Sequence, residues 1–475
     1  MFWEFDHRAD LCQRLYDAST DSELTGQDLF DLVVRWEDLL QSDRRQLVGL
    51  FCDNSVTSIA VYLAALRSGQ TIMLSNATTD PTLQRRLCDI YRPEIVISIG
   101  APSMIPKGYR VTSAPSAGVT VACTDASAGD PIAPETAVLL STSGTTGSPK
   151  LIRLSYQNLQ SNAEAIVHYL EITAGDTAIT TLPLSYSYGL SVVNSHLLAG
   201  ANLVCTNASI MTREFWAQFS ARQCTSFAGV PFSYNMLERL RFEHMSLPSL
   251  RTMTQAGGRL APDKIRLFAD MAKRKDRRFF VMYGQSEATA RISYVPWERL
   301  TDKIGSIGVP IPNGHLTLMR SGQEITEPYC EGELVYAGPN VMLGYAETRA
   351  SLSKGDESAG VLYTGDLGYR DADGYFYITG RMKRFIKVFG LRLNLDEVEK
   401  MLETTLGYSV ACAGRDESLH VIVEAEDDAV LAETQRQIAS LYKLHHSSIR
   451  VRRVDALPVT ASGKKDYRAA EYQFD

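Results

Sequence analysis

Apolar and polar positions follow two periods in turn between residues 27 and 283, and this alternation predicts a series of strand–helix units. Short apolar runs such as 46–51 and 137–140 predict buried strands, whereas apolar residues at i, i+3 and i+4 spacing predict amphipathic helices between them. Thr25 and Ser155 are residue types that cap helices, and each precedes such a periodic segment. Strands that alternate with helices form mainly parallel sheets, so the predicted fold class is α/β, with helices on both sheet faces.

The pattern changes after Glu287. Short β-type segments separated by glycine and proline dominate from about 290 to 380 and predict a small β-barrel-like subdomain. The residues beyond 382 suit a compact α+β domain. We therefore predict an N-terminal domain over 1–382, which includes the β-rich part, and a small C-terminal domain over 383–475.

Composition places the chain among ordinary soluble proteins. Of its 475 residues 45% are hydrophobic and 22% are charged, and the net charge of −7 argues against a nucleic-acid partner. The eight cysteines form no C-x-x-C pair, which favours reduced thiols in a cytoplasmic protein over a zinc or redox site. The N-terminus lacks the order of a signal peptide, and no apolar run is long enough to span a membrane. We expect a cytoplasmic protein without a membrane partner.

The segment Ser141–Lys150 carries the densest chemical signal. It follows a predicted strand and holds six hydroxyl side chains, two glycines, a proline and a lysine. Glycine lets the backbone approach a ligand closely, successive N–H groups form a concave anion site, and Lys150 adds a point charge suited to phosphate. A flexible linker has a similar composition but rarely follows a buried strand. The segment therefore predicts a nucleotide phosphate loop, although its spacing is not that of a Walker loop.

Further segments carry residue types suited to the same chemistry, and several of them directly follow predicted strands. They combine close-approach glycines with aromatic, hydroxyl, carboxylate and basic side chains. These segments are Leu182–Gly189, Gln255–Leu260, Tyr283–Thr289, Tyr363–Gly368, Gly380–Lys387, Val388–Glu399 and Leu457–Lys465.

In this order, the segments resemble the motifs of the adenylate-forming superfamily, which includes acyl-CoA synthetases, adenylation domains of nonribosomal peptide synthetases, and firefly-type luciferases. The resemblance extends from about Leu47 to the end of the chain. It implies that a small carboxylic acid is activated by ATP as an acyl-adenylate, that pyrophosphate is released, and that the acyl group passes to a pantetheine thiol. The implied cofactors are ATP and Mg²⁺, with CoA or a holo carrier protein as the thiol co-substrate.

The resemblance assigns the central chemistry to three residues. Lys464, rather than Lys465, falls at the catalytic position that bridges the carboxylate and the α-phosphate. Ser286 would bond the α-phosphate, and Glu287 would hold Mg²⁺. The residues implied to contact ATP or AMP are Thr142, Ser143, Gly144, Thr145, Thr146, Gly147, Lys150, Gly258, Arg259, Tyr283, Gly284, Gln285, Ser286, Asp366, Ile378 and Arg381.

Other positions are implied to shape the acid pocket and to move the small domain. Tyr186, Ala228 and Gly257 would border the carboxylate pocket. Tyr186 departs from the histidine of acyl-CoA synthetases and from the aspartate of amino-acid adenylation domains, which argues against the usual recognition of α-amino acids. Lys383 would be the hinge of the C-terminal domain, and Gly390 would line the pantetheine tunnel.

The acceptor thiol and the activity itself leave alternatives open. A carrier protein acting in trans is slightly favoured over CoA, because the small domain offers Arg450, Arg452 and Arg453 to an acidic partner helix. A non-catalytic nucleotide-binding relative and a luciferase-like oxygenase remain further alternatives. The presence of both Lys464 and Glu287 argues against the non-catalytic relative.

Overall fold

The computed structural model of the protein separates into two compact units. The first unit comprises Met1–Ile304, Pro310–His315 and Tyr336–Leu362, and the second comprises Gly305–Val309, Leu316–Val335 and Tyr363–Asp475. The division at residue 383 expected from the sequence stays a prediction. The structure describes residues 1–4, 13–100, 105–124, 130–141, 150–382, 384–388, 391–415, 417–442, 444–460 and 463–474.

Strands and helices alternate through most of the first unit. Its strands up to residue 304 are β1 Arg14–Asp17, β2 Ser22–Thr25, β3 Leu47–Cys52, β4 Thr71–Asn76, β5 Ile95–Ile99, β6 Arg110–Thr112, β7 Val119–Cys123, β8 Thr136–Ser141, β9 Leu151–Ser155, β10 Thr177–Ile179, β11 Asn202–Cys205, β12 Ser226–Gly229, β13 Thr252–Gln255, β14 Arg278–Tyr283 and β15 Ser293–Val295. The helices are α1 Gly26–Leu40, α2 Val56–Arg67, α3 Pro81–Tyr91, α4 Tyr156–Leu170, α5 Ser187–Leu198, α6 Arg213–Ala221, α7 Pro231–Arg239 and α8 Pro262–Arg274.

The remaining chain is richer in strands. Its strands are β16 Val309–Pro310, β17 His315–Arg320, β18 Gln323–Glu324, β19 Gly332–Ala337, β20 Gly344–Ala346, β21 Val361–Arg370, β22 Phe376–Arg381, β23 Phe385–Val388, β24 Leu391–Asn394, β25 Val410–Arg415, β26 Ser418–Glu424 and β27 Ile449–Val454. The helices are α9 Leu395–Leu406, α10 Ala429–Tyr442 and α11 Tyr467–Tyr472.

The predicted helix caps are present. The Thr25 side chain accepts from the backbone N–H of Asp28 at 3.2 Å, and the Asp28 carboxylate accepts from the backbone N–H of Thr25 at 2.8 Å. Ser155 and Asn158 form the same reciprocal arrangement at the start of α4. Each cap satisfies N–H groups that have no partner inside the helix, so the local sequence determines where α1 and α4 begin.

One sheet of the first unit contains the strands on both sides of the Ser141–Lys150 segment. Its strand order is β20-β9-β8-β4-β3-β5-β7-β6. The centre is parallel, because β3 pairs with β4 and β5, and β4 pairs with β8. Antiparallel pairs β8–β9 and β9–β20 extend one side. Since β8 ends at Ser141 and β9 begins at Leu151, the segment between them joins two neighbouring strands of this sheet.

The other sheet of the first unit aligns the remaining predicted segments. From β15 to β2 its order is β15-β14-β13-β12-β10-β11-β1-β2. All pairs from β14 to β1 are parallel. The α/β fold class with mainly parallel sheets is therefore confirmed. The β1–β2 hairpin was not predicted, and it joins the sheet because β1 pairs with β11.

The second unit contains part of the β-rich segment together with the C-terminal α+β segment. Its largest sheet has five strands in the order β18-β17-β19-β21-β22. No pairing joins β18 to β22 in the part of the chain that the structure describes, so barrel closure is not confirmed. The C-terminal segment contains the hairpin β23–β24 and the three-stranded sheet β25-β26-β27. Val398, Leu402 and Val410 belong to its own hydrophobic core.

Five of the seven cysteines that the structure describes are buried. Cys52, Cys88, Cys205, Cys224 and Cys412 are buried thiols, and no disulfide occurs within the described ranges. Among the helices in those ranges, none has both the length and the apolar character needed to cross a bilayer.

Candidate functional site

Several of the predicted segments meet at one edge of the second sheet. The parallel strands β10, β12, β13 and β14 are successive neighbours, and the segments that contain Tyr186, Val230, Gly257 and Glu287 follow them in turn. Loops at the carboxyl ends of neighbouring parallel strands share one edge, which is where such sheets bind ligands. The edge is therefore the candidate site of the first unit.

The turn that follows β14 is tightly constrained at Gly284. A Cβ atom at this position would lie 1.8 Å from the backbone oxygen of Ala290, so any other residue would collide with the returning chain. Ile292 donates its N–H to the backbone oxygen of Tyr283 at 2.9 Å and closes the turn. The turn carries Ser286 and Glu287 on its outer part.

The side chain of Asn340 binds this turn. Asn340 lies in the segment Tyr336–Leu362 of the first unit. Its side chain is 1% exposed, and its amide nitrogen donates to the backbone oxygens of Ala288 at 2.7 Å and Arg291 at 2.8 Å. The amide oxygen accepts from the Tyr336 hydroxyl at 2.8 Å. Both amide hydrogens and the oxygen are used, so the turn has one well-defined position relative to Asn340.

Glu287, Tyr345 and Lys150 lie in a row. The Tyr345 hydroxyl donates to the Glu287 carboxylate at 2.9 Å, and the Lys150 ammonium nitrogen lies 3.6 Å from the centroid of the Tyr345 ring. This contact follows from the register of the sheet, since Tyr345 in β20 lies opposite Ile152 in β9, two residues after Lys150. Burial, assisted by the Glu287 carboxylate, raises the pKa of Tyr345, which keeps its hydroxyl protonated as a donor.

This row brings together the charges of Lys150 and Glu287, which belong to two separate segments of the sequence. Lys150 also lies 3.8 Å from Glu347. Cation–π contact with Tyr345 holds the ammonium group without neutralising it. The arrangement places an ammonium group over the Tyr345 ring and a carboxylate at the Tyr345 hydroxyl.

Ser286, Tyr283 and Gln285 complete the turn. The Ser286 hydroxyl lies 2.8 Å from the hydroxyl of Ser187, the first residue of α5. Gln285 donates its amide to the Tyr283 hydroxyl at 3.1 Å. The Tyr283 ring and the Ser286 hydroxyl are both half-buried at this edge.

Gly257 and Tyr186 form a close contact across the edge. A Cβ atom at Gly257 would lie 2.7 Å from the Tyr186 hydroxyl oxygen and 3.0 Å from Val230, and the φ angle of +82° is one that glycine adopts readily. The Gln255 amide donates to the backbone oxygen of Gly258 at 2.8 Å and fixes the turn. Tyr186 thus fills space that a larger residue at position 257 would occupy.

The other residues that were predicted to contact the acid or the nucleotide at this edge differ in exposure. Ala228 is buried within β12, and Gly258 packs near Pro231. Arg259 is exposed. Tyr186, Ala228, Gly257 and Gly258 are therefore grouped at one edge, whereas Arg259 extends from it towards solvent.

Asp366 and Arg381 are paired in the second unit. They lie opposite each other in the antiparallel pair β21–β22, and Arg381 Nε donates to Asp366 Oδ1 at 2.9 Å. Asp366 is 2% exposed. Ile378 lies in the same strand pair, opposite Gly368. The register of the hairpin explains why these three positions, spread along the sequence, occur together.

The two C-terminal lysines have different environments. Lys464 lies in a tight turn in which Thr460 donates its N–H to the backbone oxygen of Lys464 at 2.7 Å, and Lys464 donates its own N–H to the Thr460 hydroxyl at 3.2 Å. The Lys465 ammonium group instead donates to Glu399 at 3.1 Å and to Glu403 at 2.8 Å. Although burial opposes it, the attraction of these carboxylates raises the pKa of Lys465. Lys465 is therefore a structural cation.

The Glu399 carboxylate links the region of the Lys464 turn to Arg384, near the start of the C-terminal segment. It is 5% exposed, and it accepts from Arg384 at 2.8 Å, from the backbone N–H of Cys412 at 2.7 Å and from the Tyr467 hydroxyl at 3.3 Å. Arg384 follows the predicted hinge by one residue. A buried carboxylate with several donors is stable only if these donors stay in place, so Glu399 fixes Lys465 and, through the chain, the position of Lys464.

Several predicted residues lie outside the described part of the chain. They are Thr142, Ser143, Gly144, Thr145, Thr146, Gly147, Lys383 and Gly390.

Four residues of the candidate site were not predicted as site residues from the sequence. Asn340 and Tyr345 belong to the string Gly338-Pro-Asn-Val-Met-Leu-Gly-Tyr345, where a polar residue within a Gly/Pro turn is the available signal. In the sequence Arg291 is a single charge between apolar residues and Glu399 is one of several neighbouring charges, so only their burial distinguishes them.

A family model described as "AMP-binding enzyme" matches residues 10–346. The chain is 30% identical to an oxalate–CoA ligase of Arabidopsis thaliana over 354 residues, which cover 71% of this chain and 67% of that protein. It is 27% identical to a 2-succinylbenzoate–CoA ligase of Enterococcus faecalis over 344 residues, 69% of this chain and 67% of that protein.

A solved structure has a similar fold over the full chain. It is that of the o-succinylbenzoate CoA synthetase of Bacillus subtilis in complex with an acyl-adenylate, with a TM-score of 0.77 and 21% identity, and the match covers 98% of this chain and 97% of that one. At this identity, the likeness establishes the fold alone.

The different environments of the two lysines generate a stability prediction. Lys465→Met removes the ammonium group from Glu399 and Glu403. Because these ion pairs are only partly buried, their loss should lower the free energy of unfolding by about 2 kcal/mol, less than the loss of fully buried pairs. Lys464→Met is the matched control, because it changes the adjacent lysine and leaves the Lys465 bonds in place. Hydrogen exchange of the full chain, followed at β25, should show loss of protection in Lys465→Met only. Equal loss in both variants would contradict the assignment of Lys465 as the structural cation.

Proposed function

The chain belongs to the family of AMP-binding enzymes, and on that basis we propose that it is an AMP-forming ligase that activates a carboxylic acid as an acyl-adenylate and transfers the acyl group to the thiol of CoA. The observation that carries the proposal is the row of Lys150, Tyr345 and Glu287. It holds a phosphate-type cation and a metal-type carboxylate next to the end of the Ser141–Lys150 segment.

In the proposed first step, an oxygen of the acid's carboxylate attacks the α-phosphorus of ATP, the bond from that phosphorus to the bridging oxygen breaks, and pyrophosphate leaves. A carboxylate is already ionised at neutral pH, so the step needs no general base. Negative charge on the α-phosphate oxygens is the main obstacle, and fixed donors and cations reduce it. We assign this role to Ser286, Lys150 and Lys464.

Glu287 is the residue we expect to hold Mg²⁺. Mg²⁺ in phosphoryl-transfer sites takes one or two protein carboxylates together with substrate phosphates, so a single carboxylate fits. The Tyr345 hydroxyl donates to the Glu287 carboxylate and orients it. When bound, the ion would neutralise phosphate charge.

We assign roles in nucleoside binding within each unit by itself. In the first unit, the Tyr283 ring offers a face for adenine, and Gly258 and Gln285 lie on neighbouring turns. In the second unit, we assign the ribose hydroxyls to Asp366, whose carboxylate is oriented by Arg381. Replacement of either member of this pair would misplace the other.

In the proposed second step, a thiolate attacks the acyl carbon, and AMP leaves with the oxygen that came from the acid. We propose CoA as the thiol rather than a carrier protein. The two relatives are named as CoA ligases. Two of the three arginines that an acidic carrier helix would contact already have local partners, since Arg453 pairs with Asp428 at 2.7 Å and Arg452 donates to the backbone oxygen of Gln473.

The names of the two relatives also suggest which acids should be tested first as substrates. Oxalate and 2-succinylbenzoate both carry two carboxylates. A first panel should therefore contain dicarboxylic as well as monocarboxylic acids.

The function is tested with the purified full chain, ATP, Mg²⁺ and such a panel. We expect acid-dependent release of pyrophosphate and trapping of the activated acid by hydroxylamine. Equimolar CoA and a phosphopantetheinylated carrier protein are then offered together, and mass spectrometry should find the acyl group on CoA. Acylation of the carrier alone would reject CoA as the acceptor. A non-catalytic relative would release no pyrophosphate with any acid, and a luciferase-like oxygenase would consume oxygen.

The bonds made by Asn340 generate a prediction about Mg²⁺. Glu287→Gln removes the proposed metal ligand, and Asn340→Ala releases the turn that carries it. Both variants should need a higher Mg²⁺ concentration for half-maximal pyrophosphate release, by about tenfold or more. Gln323→Ala, on the exposed strand β18, is the control and should match the wild type. An unchanged Mg²⁺ midpoint in Glu287→Gln would refute the metal role.

A further inference from the structure

Arg291 is a buried cation with unused hydrogen-bond donors. Its side chain is 2% exposed, and its Nε and Nη1 atoms have no hydrogen-bond partner. It forms no ion pair with any residue that the structure describes. An isolated buried charge is costly, and proteins usually pair it or neutralise it. A buried guanidinium group with unused donors is uncommon, so its site requires an explanation.

The groups around Arg291 are aromatic and neutral. The guanidinium carbon lies 4.1 Å from the centroid of the Tyr188 ring. Burial raises the pKa of Tyr169, Tyr186 and Tyr188 to about 12, and Arg291 opposes the rise in each. These hydroxyls therefore remain protonated at neutral pH. They can accept hydrogen bonds, but they do not supply the negative charge that would balance the arginine.

Arg291 also lines a small cavity that is bordered by Ala228. The cavity measures about 30 Å³ and is bordered by Ala228, Thr254 and His196 among others. This is roughly two or three times the space that one water molecule needs, which suits a carboxylate group and not a long acyl chain. Ala228 belongs to the wall predicted to border the acid.

The other charged or titratable groups of the cavity have partners of their own. Asp176 accepts from Arg251 at 2.9 Å and from the Thr225 hydroxyl at 2.8 Å. Arg278 donates to Glu171 at 2.6 Å. Burial lowers the pKa of His196, which is therefore neutral at pH 7. The available positive charge in this cavity is that of Arg291.

Aromatic rings connect this cavity with the edge of the sheet. Tyr186, whose hydroxyl lies against Gly257, has its ring centroid 6.3 Å from that of Tyr188, and Tyr188 in turn contacts Arg291. The same turn that carries Glu287 continues to Arg291, and Asn340 holds both ends of it. Two successive contacts, of 6.3 Å and 4.1 Å, therefore separate Tyr186 at the reacting edge from the arginine, and a short molecule can span this distance.

We infer that Arg291 binds a second anionic group at the far end of the substrate, so that the acid activated is a small dicarboxylate or a carboxylate with a sulfonate at its other end. This inference rests on the proposed function and adds the substrate class to it. A charged donor with unused N–H groups in a water-poor pocket binds such an anion strongly and discriminates against an uncharged methyl group at the same place.

The test compares acids of equal chain length. Pyrophosphate release is measured with the pairs propanoate and malonate, butanoate and succinate, and pentanoate and glutarate, together with 3-sulfopropanoate. In the wild type, we expect kcat/KM for at least one diacid to exceed that of its monoacid partner by about 30-fold or more, the effect of one buried charge pair. Arg291→Met should abolish this preference by lowering activity with the diacid and sparing or raising activity with the monoacid.

Two further variants separate binding from a structural role. Arg291→Lys keeps the charge and should retain part of the preference. Arg278→Met removes a different arginine of the same cavity, one that already pairs with Glu171. This variant should keep the wild-type preference. Because Arg291 is an unpaired buried charge, Arg291→Met should melt at the wild-type temperature or above it. A structural arginine would give a lower melting temperature and equal losses with both acids of a pair.

Failure of the inference is distinguishable from failure of the proposed function. If the wild type activates the monoacids as efficiently as the diacids, or if Arg291→Met keeps the diacid preference, the second-anion site is wrong and the ligase function stands. If no acid in a broad panel supports pyrophosphate release, the ligase function falls, and the inference falls with it.

Discussion

The buried amide of Asn340 is the constraint on which the candidate site of the first unit depends. It holds the backbone oxygens of Ala288 and Arg291, so one side chain fixes the two ends of the turn after β14. Glu287 precedes one of these anchors, and the Arg291 side chain starts from the other. The residue proposed to hold the metal ion and the residue proposed to recognise the acid are thereby kept at a constant separation. Preorganisation of this kind reduces the reorganisation needed when charge develops on the phosphate.

In the second unit, Glu399 has a comparable role. It gathers Arg384, Lys465 and Tyr467 around one buried carboxylate, and the turn that carries Lys464 follows from their positions. The two adjacent lysines illustrate how environment assigns roles. Lys465 is committed to carboxylates of its own domain, whereas the backbone of Lys464 is held by Thr460 and its side chain is the one assigned to chemistry.

Much of the fold could be predicted from the sequence because its signals are local. The caps at Thr25 and Ser155 and the apolar runs of β3 and β8 depend on residues within a few positions of one another. The strand β9 was missed because it contains Arg153, which is fully buried and pairs with Glu357, far along the chain. Asn340 and Tyr345 were missed for the same reason. Their importance lies in contacts with residues some 50 positions away, which no periodicity records.

Isotope transfer from the acid to AMP tests the central claim most directly. The enzyme is given ATP, Mg²⁺, CoA and an acid labelled with ¹⁸O in its carboxylates, chosen from the panel by fastest pyrophosphate release. If the carboxylate attacks the α-phosphorus, each turnover leaves one ¹⁸O in the phosphoryl group of AMP and none in pyrophosphate. Unlabelled AMP, or ADP together with labelled inorganic phosphate, would contradict the account.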